Sequence, residues 1–225
     1  MLAADPLTVT AAQYEAWLGA QTQWSRQTRR VAIIGLQQFH RWLVDTGRRQ
    51  DDPTAGIVPP SQAPCRPHPI PADVLADAMR WAHGDDWWLL RVLVTTGMRR
   101  GEVAAMRDGD QGGGWLTIRG KGGRSRRVPI PPDVEGWMHG RSPMWPDRDG
   151  HPSTPAQLSD RVRRATRGWG PHSIRHRYAT EVYRASRDVL AVQRLLGHAS
   201  LATTQMYLAV DDDELCSAAA AVWAA

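Results

Sequence analysis

The chain has 225 residues, 42% hydrophobic and 23% charged, enough to bury a core in one or two domains, which excludes a disordered chain and a disulfide-stapled miniprotein. No apolar run approaches the roughly 20 residues of a membrane-spanning helix. The N-terminus lacks the layout of a signal peptide, and Cys65 and Cys216 show no metal-ligand spacing, so a soluble protein of a reducing cytoplasm is expected. The net charge of +5 suits a polyanionic partner, and 27 of the 28 basic residues are arginine, Lys121 being the single lysine. The Arg bias can reflect nucleotide composition alone, but a guanidinium stays charged whereas an amine can give up its proton, so the lone lysine raises the question of whether its position needs what arginine cannot supply.

Thr10 and Gln13 have the spacing of a capping box, and Tyr14, Trp17 and Leu18 share the face of the helix that follows. A second helix is expected from Ser25 to Thr46, with Val31, Ile34, Phe39, Trp42 and Leu43 as its apolar positions and Gly47 as its stop. Seven prolines between Asp51 and Pro71 describe an extended linker. This gives a helical domain at 1–58, a Pro-rich linker at 59–69 and a larger domain with a C-terminal tail at 70–225.

The larger domain is expected to open with a helix at Pro71–His83, followed by an all-round apolar and therefore central helix at Asp85–Thr96, ended by Gly97. A helix over Arg99–Arg107 precedes two short strands, 115–119 and 125–130, joined by a glycine-rich turn. Helices near 155–167, 171–187, 188–196 and 201–209 complete a mainly α fold with a small antiparallel sheet. An acidic run, Asp211–Glu214, precedes an apolar tail.

Four segments carry polar residues that packing leaves unexplained. TTGMRRGE (95–102) stops a buried helix and at once presents Arg99, with Glu102 three residues on. GKGG (120–123) puts Lys121 at a hairpin tip. HSIRH (172–176) places His172, Arg175 and His176 on one helical face. LLGHASLATTQMY (195–207) brings His198 and Tyr207. His172 and His176 have the spacing of a zinc pair, with His198 as a third ligand, but an intervening arginine repels a metal and instead suits an anion, because guanidinium binds two phosphate oxygens at once.

In this order, Arg99 with Glu102, Lys121, His172 with Arg175, His198 and Tyr207 resemble the signature of the tyrosine recombinases, the phage integrases and their chromosomal relatives. The resemblance implies a helical core-type DNA-binding domain plus a catalytic domain, which together clamp double-stranded DNA at a core site. Its task would be integrating or excising a phage or other mobile element. Arg99, Arg175 and His198 would hold the scissile phosphate, Tyr207 would attack it, His172 would take the phenol proton, and Lys121 would protonate the departing 5′ oxygen. Glu102 and His176 would support these groups from behind. The resemblance implies no metal or nucleotide cofactor, a homotetramer on DNA, and a host bacterial cytoplasm, on the nucleoid, as the place of action.

Arg26, Arg29 and Arg30 on the second helix, Arg124, Arg126 and Arg127 on the hairpin, and Arg161, Arg163, Arg164 and Arg167 on a later helix are candidate phosphate contacts. The chain opens almost directly on the core-binding helices, so a separate arm-binding domain is expected to be absent. The tail reads either as a helix docking on a neighbouring protomer or as a degradation signal for a bacterial AAA+ protease. Rival readings are a type IB topoisomerase-like relaxing enzyme, a non-catalytic DNA-binding regulator and, more distantly, a zinc hydrolase.

Overall fold

A computed structural model describes residues 5–61, 68–120 and 123–197. The chain divides into two compact units, Met1–Cys65 and Arg66–Ala225. The expected helix at 201–209 and the tail lie outside the described residues.

The first unit contains α1 (Ala11–Ala20) and α2 (Arg26–Asp45). The Thr10–Gln13 capping box forms in both directions, and Ser25 caps α2 by accepting from the Thr28 N–H. Its core is Val9, Tyr14, Leu18, Ile33 and Leu43, and within it the Tyr14 hydroxyl meets His40 Nε2 at 2.7 Å. Burial holds the His40 pKa below the usual histidine range, so the ring is neutral near pH 7.

The buried face of α2 is therefore Ile33, His40 and Leu43; of the expected apolar positions Leu43 is buried and Ile34 half-buried, and the other three turn outward. Val31, Phe39 and Trp42 are 60%, 40% and 45% exposed. A hydrogen-bonded histidine occupies the inward position, whereas Phe39 and Trp42 stack on each other outside, with Arg48 over the Trp42 ring.

The proline-rich segment is anchored at both of its described ends. Thr54 is fully buried, Gln37 donates to Ile57 O, and Arg30 donates to Pro60 O. At the far end His68 stacks on Trp169, and the Ile70 N–H donates to Ser173 O.

The second unit is built around α4 (Gly84–Thr96), whose Leu89, Leu90, Val92 and Leu93 are at most 1% exposed, each contributing about 1.5–3 kcal/mol by burial. Around it lie α3 (Ala72–Trp81), the single-turn α5 (Arg100–Ala104), α6 (Pro132–Met138), α7 (Pro155–Ala165), α8 (Pro171–Ser186) and α9 (Val189–Leu196). The antiparallel sheet runs in the order β1 (Gln111–Gly112), β2 (Trp115–Arg119), β3 (Ser125–Pro129). Leu116 faces Val128 and Ile118 faces Arg126, so these four share the inner face. Thr117, Trp115 and Arg127 are on the outer face, with Arg127 over the Trp115 ring.

The sequence does not announce β1 or α6. Gln111 and Gly112 carry no alternation, and α6, capped by Pro131 and opening on Pro132, has only seven residues of pattern. Trp88, Trp137 and Trp145 form a continuous contact from α4 through α6 to the loop beyond, where Trp145 Nε1 donates to Val103 O in α5.

Tyr14→Phe leaves the buried His40 Nε2 without its partner. Urea unfolding should show a loss of about 1–3 kcal/mol from the first unit, while a probe of the second unit stays unchanged.

Candidate active site

Helix α4 ends on Gly97 in the left-handed conformation (φ 58°), and a Cβ there would run into the Tyr178 ring, so only glycine fits. Met98 then plunges into the core at 1% exposure, which turns Arg99 outward with its side chain 46% exposed. The next helix, α5, is only one turn long, shorter than the expected 99–107. Helix α9 ends in the same way on Gly197 (φ 65°).

One guanidinium joins the two helix ends. Arg175, on the first turns of α8, is 1% exposed and donates to Gly97 O at 2.6 Å and to Leu196 O at 2.7 Å. Both acceptors are C-terminal carbonyls that a helix leaves without an internal partner, and a cation is favoured at that end of the helix dipole.

Glu102 gathers the other charges. Its carboxylate accepts from the Arg99 N–H at 2.7 Å and Arg99 Nη1 at 3.0 Å, and both oxygens receive Arg126 at 2.8 Å. Burial alone would push its pKa up, but the Arg126 hydrogen bonds, the Arg99 N–H and the two positive charges hold it at about 2. It is a permanent anion under all physiological conditions.

His172 and His176 lie on the same face of α8, their rings edge to face with centroids 4.4 Å apart. Burial and then the neighbouring Arg175 and Arg99 lower the His172 pKa below the usual histidine range. Burial, His172, Arg175 and His68 bring His176 down to about 4. Both imidazoles are neutral at pH 7, so each retains one nitrogen lone pair. Among the described residues no third histidine, cysteine or carboxylate joins them at metal-binding distance; the group that does gather is Asp147, Asp149 and His151 on the segment between α6 and α7.

These elements enclose a cleft of about 1060 Å³ in which the described lining residues include seven arginines and a single carboxylate, Glu102. Such a lining concentrates positive potential and favours a polyanion. Arg99, His172 and Arg175 share it with Arg124 and Arg163. It also holds two arginines that the sequence reading missed, Arg100 and Arg119. Arg119 sits at the end of β2 where the strand enters the lysine turn, and that position was the available signal.

One expectation needs correction, and the remaining candidate arginines fall in several places. Arg126 does not face a ligand as a hairpin cation would. Its side chain is 11% exposed, lies on the inner face of the sheet, and donates to Glu102 and, through Nε, to Leu195 O at 2.8 Å. Arg161 and Arg164, three residues apart on α7, line a second cleft shared with Asp85, Asp86, Asp147, Asp149 and Asp160, and Arg161 pairs with Asp86 at 2.6 Å. Only Arg163 of that row turns toward the first cleft. Arg167 is exposed, 3.8 Å from Asp77, and Arg127 lies over Trp115. In the first unit Arg26 donates to Ser61, Arg30 to Pro60 O, and Arg29 is half-buried. Lys121, His198 and Tyr207 lie outside the described residues.

Residues 72–214 match the phage integrase family. The chain belongs to that family. It is a tyrosine-type site-specific recombinase, a DNA strand transferase. It is 33% identical to the tyrosine recombinase XerC of Chromobacterium violaceum over 224 residues, covering 89% of this chain and 75% of the relative. For XerC of Azotobacter vinelandii the figures are 32%, 90% and 75%. In fold it resembles XerH in a post-cleavage complex with palindromic difH substrate (TM-score 0.74, 22% identity, 97% of this chain and 73% of that one). It also resembles a lambda integrase dimer bound to a core site (TM-score 0.72, 18% identity, 89% of this chain and 65% of that one). The mainly helical architecture with a small antiparallel sheet is that of the recombinase catalytic domains. No helix among the described residues is long and apolar enough to cross a membrane.

The depressed Glu102 pKa ties stability to pH. The carboxylate binds its proton far more weakly folded than unfolded, so its contribution is complete above about pH 4.5 and is lost as pH falls toward about 2. Acid titration followed by circular dichroism should show this loss in the parent chain, and Glu102→Gln should be less stable at neutral pH and should lack that part of the acid transition.

Proposed function

We propose that this recombinase cleaves and rejoins double-stranded DNA through a 3′-phosphotyrosyl intermediate. The observation that carries the reading is the meeting of Arg99, Arg175 and a neutral His172 at one arginine-lined cleft. Tyr207 oxygen attacks phosphorus, the bond from phosphorus to the 5′ oxygen breaks, and the DNA 3′ end stays on the enzyme as a phosphodiester. A free phenol has a pKa near 10, so ionising it at pH 7 costs about 4 kcal/mol. His172 as base and two guanidiniums beside the nascent phenolate offset that cost. Arg99, Arg175 and His198 hold the non-bridging oxygens, whose charge grows toward the transition state. Lys121 supplies the proton to the 5′ oxygen, which an arginine cannot readily do.

The stored phosphodiester lets a 5′ hydroxyl from another duplex reverse the step, which is strand exchange without ATP. Integration or excision of a phage or other mobile element is the task we assign, with four protomers on two core-type sites and the first unit as the second jaw of a DNA clamp. The setting is the bacterial cytoplasm, on the nucleoid. The tail serves either protomer docking or recognition by a AAA+ protease, and exchanging the last two alanines for aspartates separates these: a longer cellular lifetime with normal recombination supports the protease.

Fragmented genomic DNA bearing random nicks, incubated with the chain and denatured, should yield covalent adducts mapping to one sequence and to Tyr207. Tyr207→Phe should form none while binding the same DNA with unchanged affinity. Arg99→Ala should slow adduct formation by about 10²–10³-fold. Efficient relaxation of supercoiled plasmid lacking the captured sequence would favour a topoisomerase, and the absence of any adduct a DNA-binding regulator.

His172 acts as a base only when neutral, and burial with the nearby Arg175 and Arg99 lowers its pKa from the ordinary histidine value. The midpoint of the acid-side loss of adduct formation should therefore lie below that of a free histidine, near 6.5. A midpoint above it contradicts this role.

A further inference from the structure

We infer that Arg126 is a positioning residue that sets catalytic competence by locking the C-terminal turn of α9 to the Arg99 turn. The inference rests on the strand-cleavage reading above. Three of the five guanidinium donors of Arg126 are committed inside the protein. Nη1 and Nη2 take the two oxygens of Glu102 at 2.8 Å each, and Nε takes Leu195 O at 2.8 Å. Glu102 in turn holds both the backbone and the side chain of Arg99. On the other side, the aliphatic stem of Arg126 lies against Gly197, where a Cβ would come within 2.9 Å of its Cδ. One side chain thus touches the strand leaving the Lys121 turn, the helix carrying Glu102, and the residue immediately before His198.

Register makes this arrangement rigid. Arg126 is paired across the sheet with Ile118 and shares its face with Val128, both of them in the core. With its side chain 11% exposed, the guanidinium is held in place by packing as well as by its bonds. A lysine at this position keeps the charge but has a single nitrogen, which cannot span two carboxylate oxygens and a carbonyl in this fork. Arg126 borders the same cleft, but this commitment separates it from Arg99, whose side chain is 46% exposed there. A phosphate contact needs charge, whereas a brace needs the planar fork.

The test compares the parent chain with Arg126→Lys, Arg126→Met, Glu102→Gln and the double variant Glu102→Gln/Arg126→Lys. The probe is the nicked duplex captured by the parent chain, below the melting temperature of every variant. DNA affinity is measured against salt concentration, and the rate of covalent adduct formation is measured with all protein bound. Positioning predicts that Lys and Met variants both slow the saturated rate by about 10²-fold. It also predicts an unchanged slope of log affinity against log salt, and a double variant no slower than its slower parent.

A phosphate contact would instead leave Arg126→Lys near the parent rate and reduce the salt slope of Arg126→Met by about 0.9; that pattern overturns the inference. So do parent-like saturated rates in the variants, which would mean that Arg126 serves stability alone. If Arg126→Met does not fold, Arg126→Gln takes its place, since it too removes the charge while keeping a polar side chain. A parent chain that forms no adduct refutes the cleavage reading itself, whereas parent adduct with unaffected variants refutes only the role of Arg126.

Discussion

The catalytic unit depends on a buried cation placed where two helices run out of hydrogen bonds. Helices α4 and α9 both stop on a left-handed glycine, and Arg175 donates to a carbonyl at each end. A guanidinium in the interior is expensive unless its donors are satisfied, and carbonyls at the negative ends of helix dipoles satisfy them well. Arg99 reaches the cleft because Met98 is anchored in the core and Gly97 allows the chain to reverse.

Electrostatics in the cleft is asymmetric by design of the fold. Seven arginines and one carboxylate among its described lining would repel one another strongly if left without a counter-charge. Each oxygen of Glu102 accepts from both a solvent-facing arginine and an interior one, which fixes Arg99. The two histidines add no positive charge at pH 7, since burial and the adjacent arginines keep them neutral. The site therefore presents fixed cations to an anionic ligand together with an imidazole that can still accept a proton.

Much of this was legible in the sequence. Gly97 with Arg99 and Glu102 close behind it, the HSIRH spacing and the all-round apolar pattern of α4 all translate directly into the geometry found, because glycine, helical periodicity and burial act locally. The errors have physical causes as well. On α2 the apolar residues suggested one face, but a Tyr14–His40 hydrogen bond made a histidine the inward residue and left Phe39 and Trp42 outside. Arg126 looked like one more cation in a basic hairpin. Strand alternation already put it on the side of Val128 and Ile130, yet its partner, Glu102, lies 24 residues away and no local pattern reveals a pairing across that distance. The division of α7 into Arg163 on one cleft and Arg161 and Arg164 on another follows from helical rotation, but which side faces acid depends on Asp85 and Asp86, contributed by α4.

The indole series Trp88, Trp137 and Trp145 has an optical consequence. Rings whose centroids lie 5.1 and 4.9 Å apart couple their electronic transitions, and the last ring is fastened to the backbone of α5. Near-ultraviolet ellipticity should then register any loosening of the turn that bears Glu102, giving a built-in gauge of site assembly that needs neither substrate nor an added label.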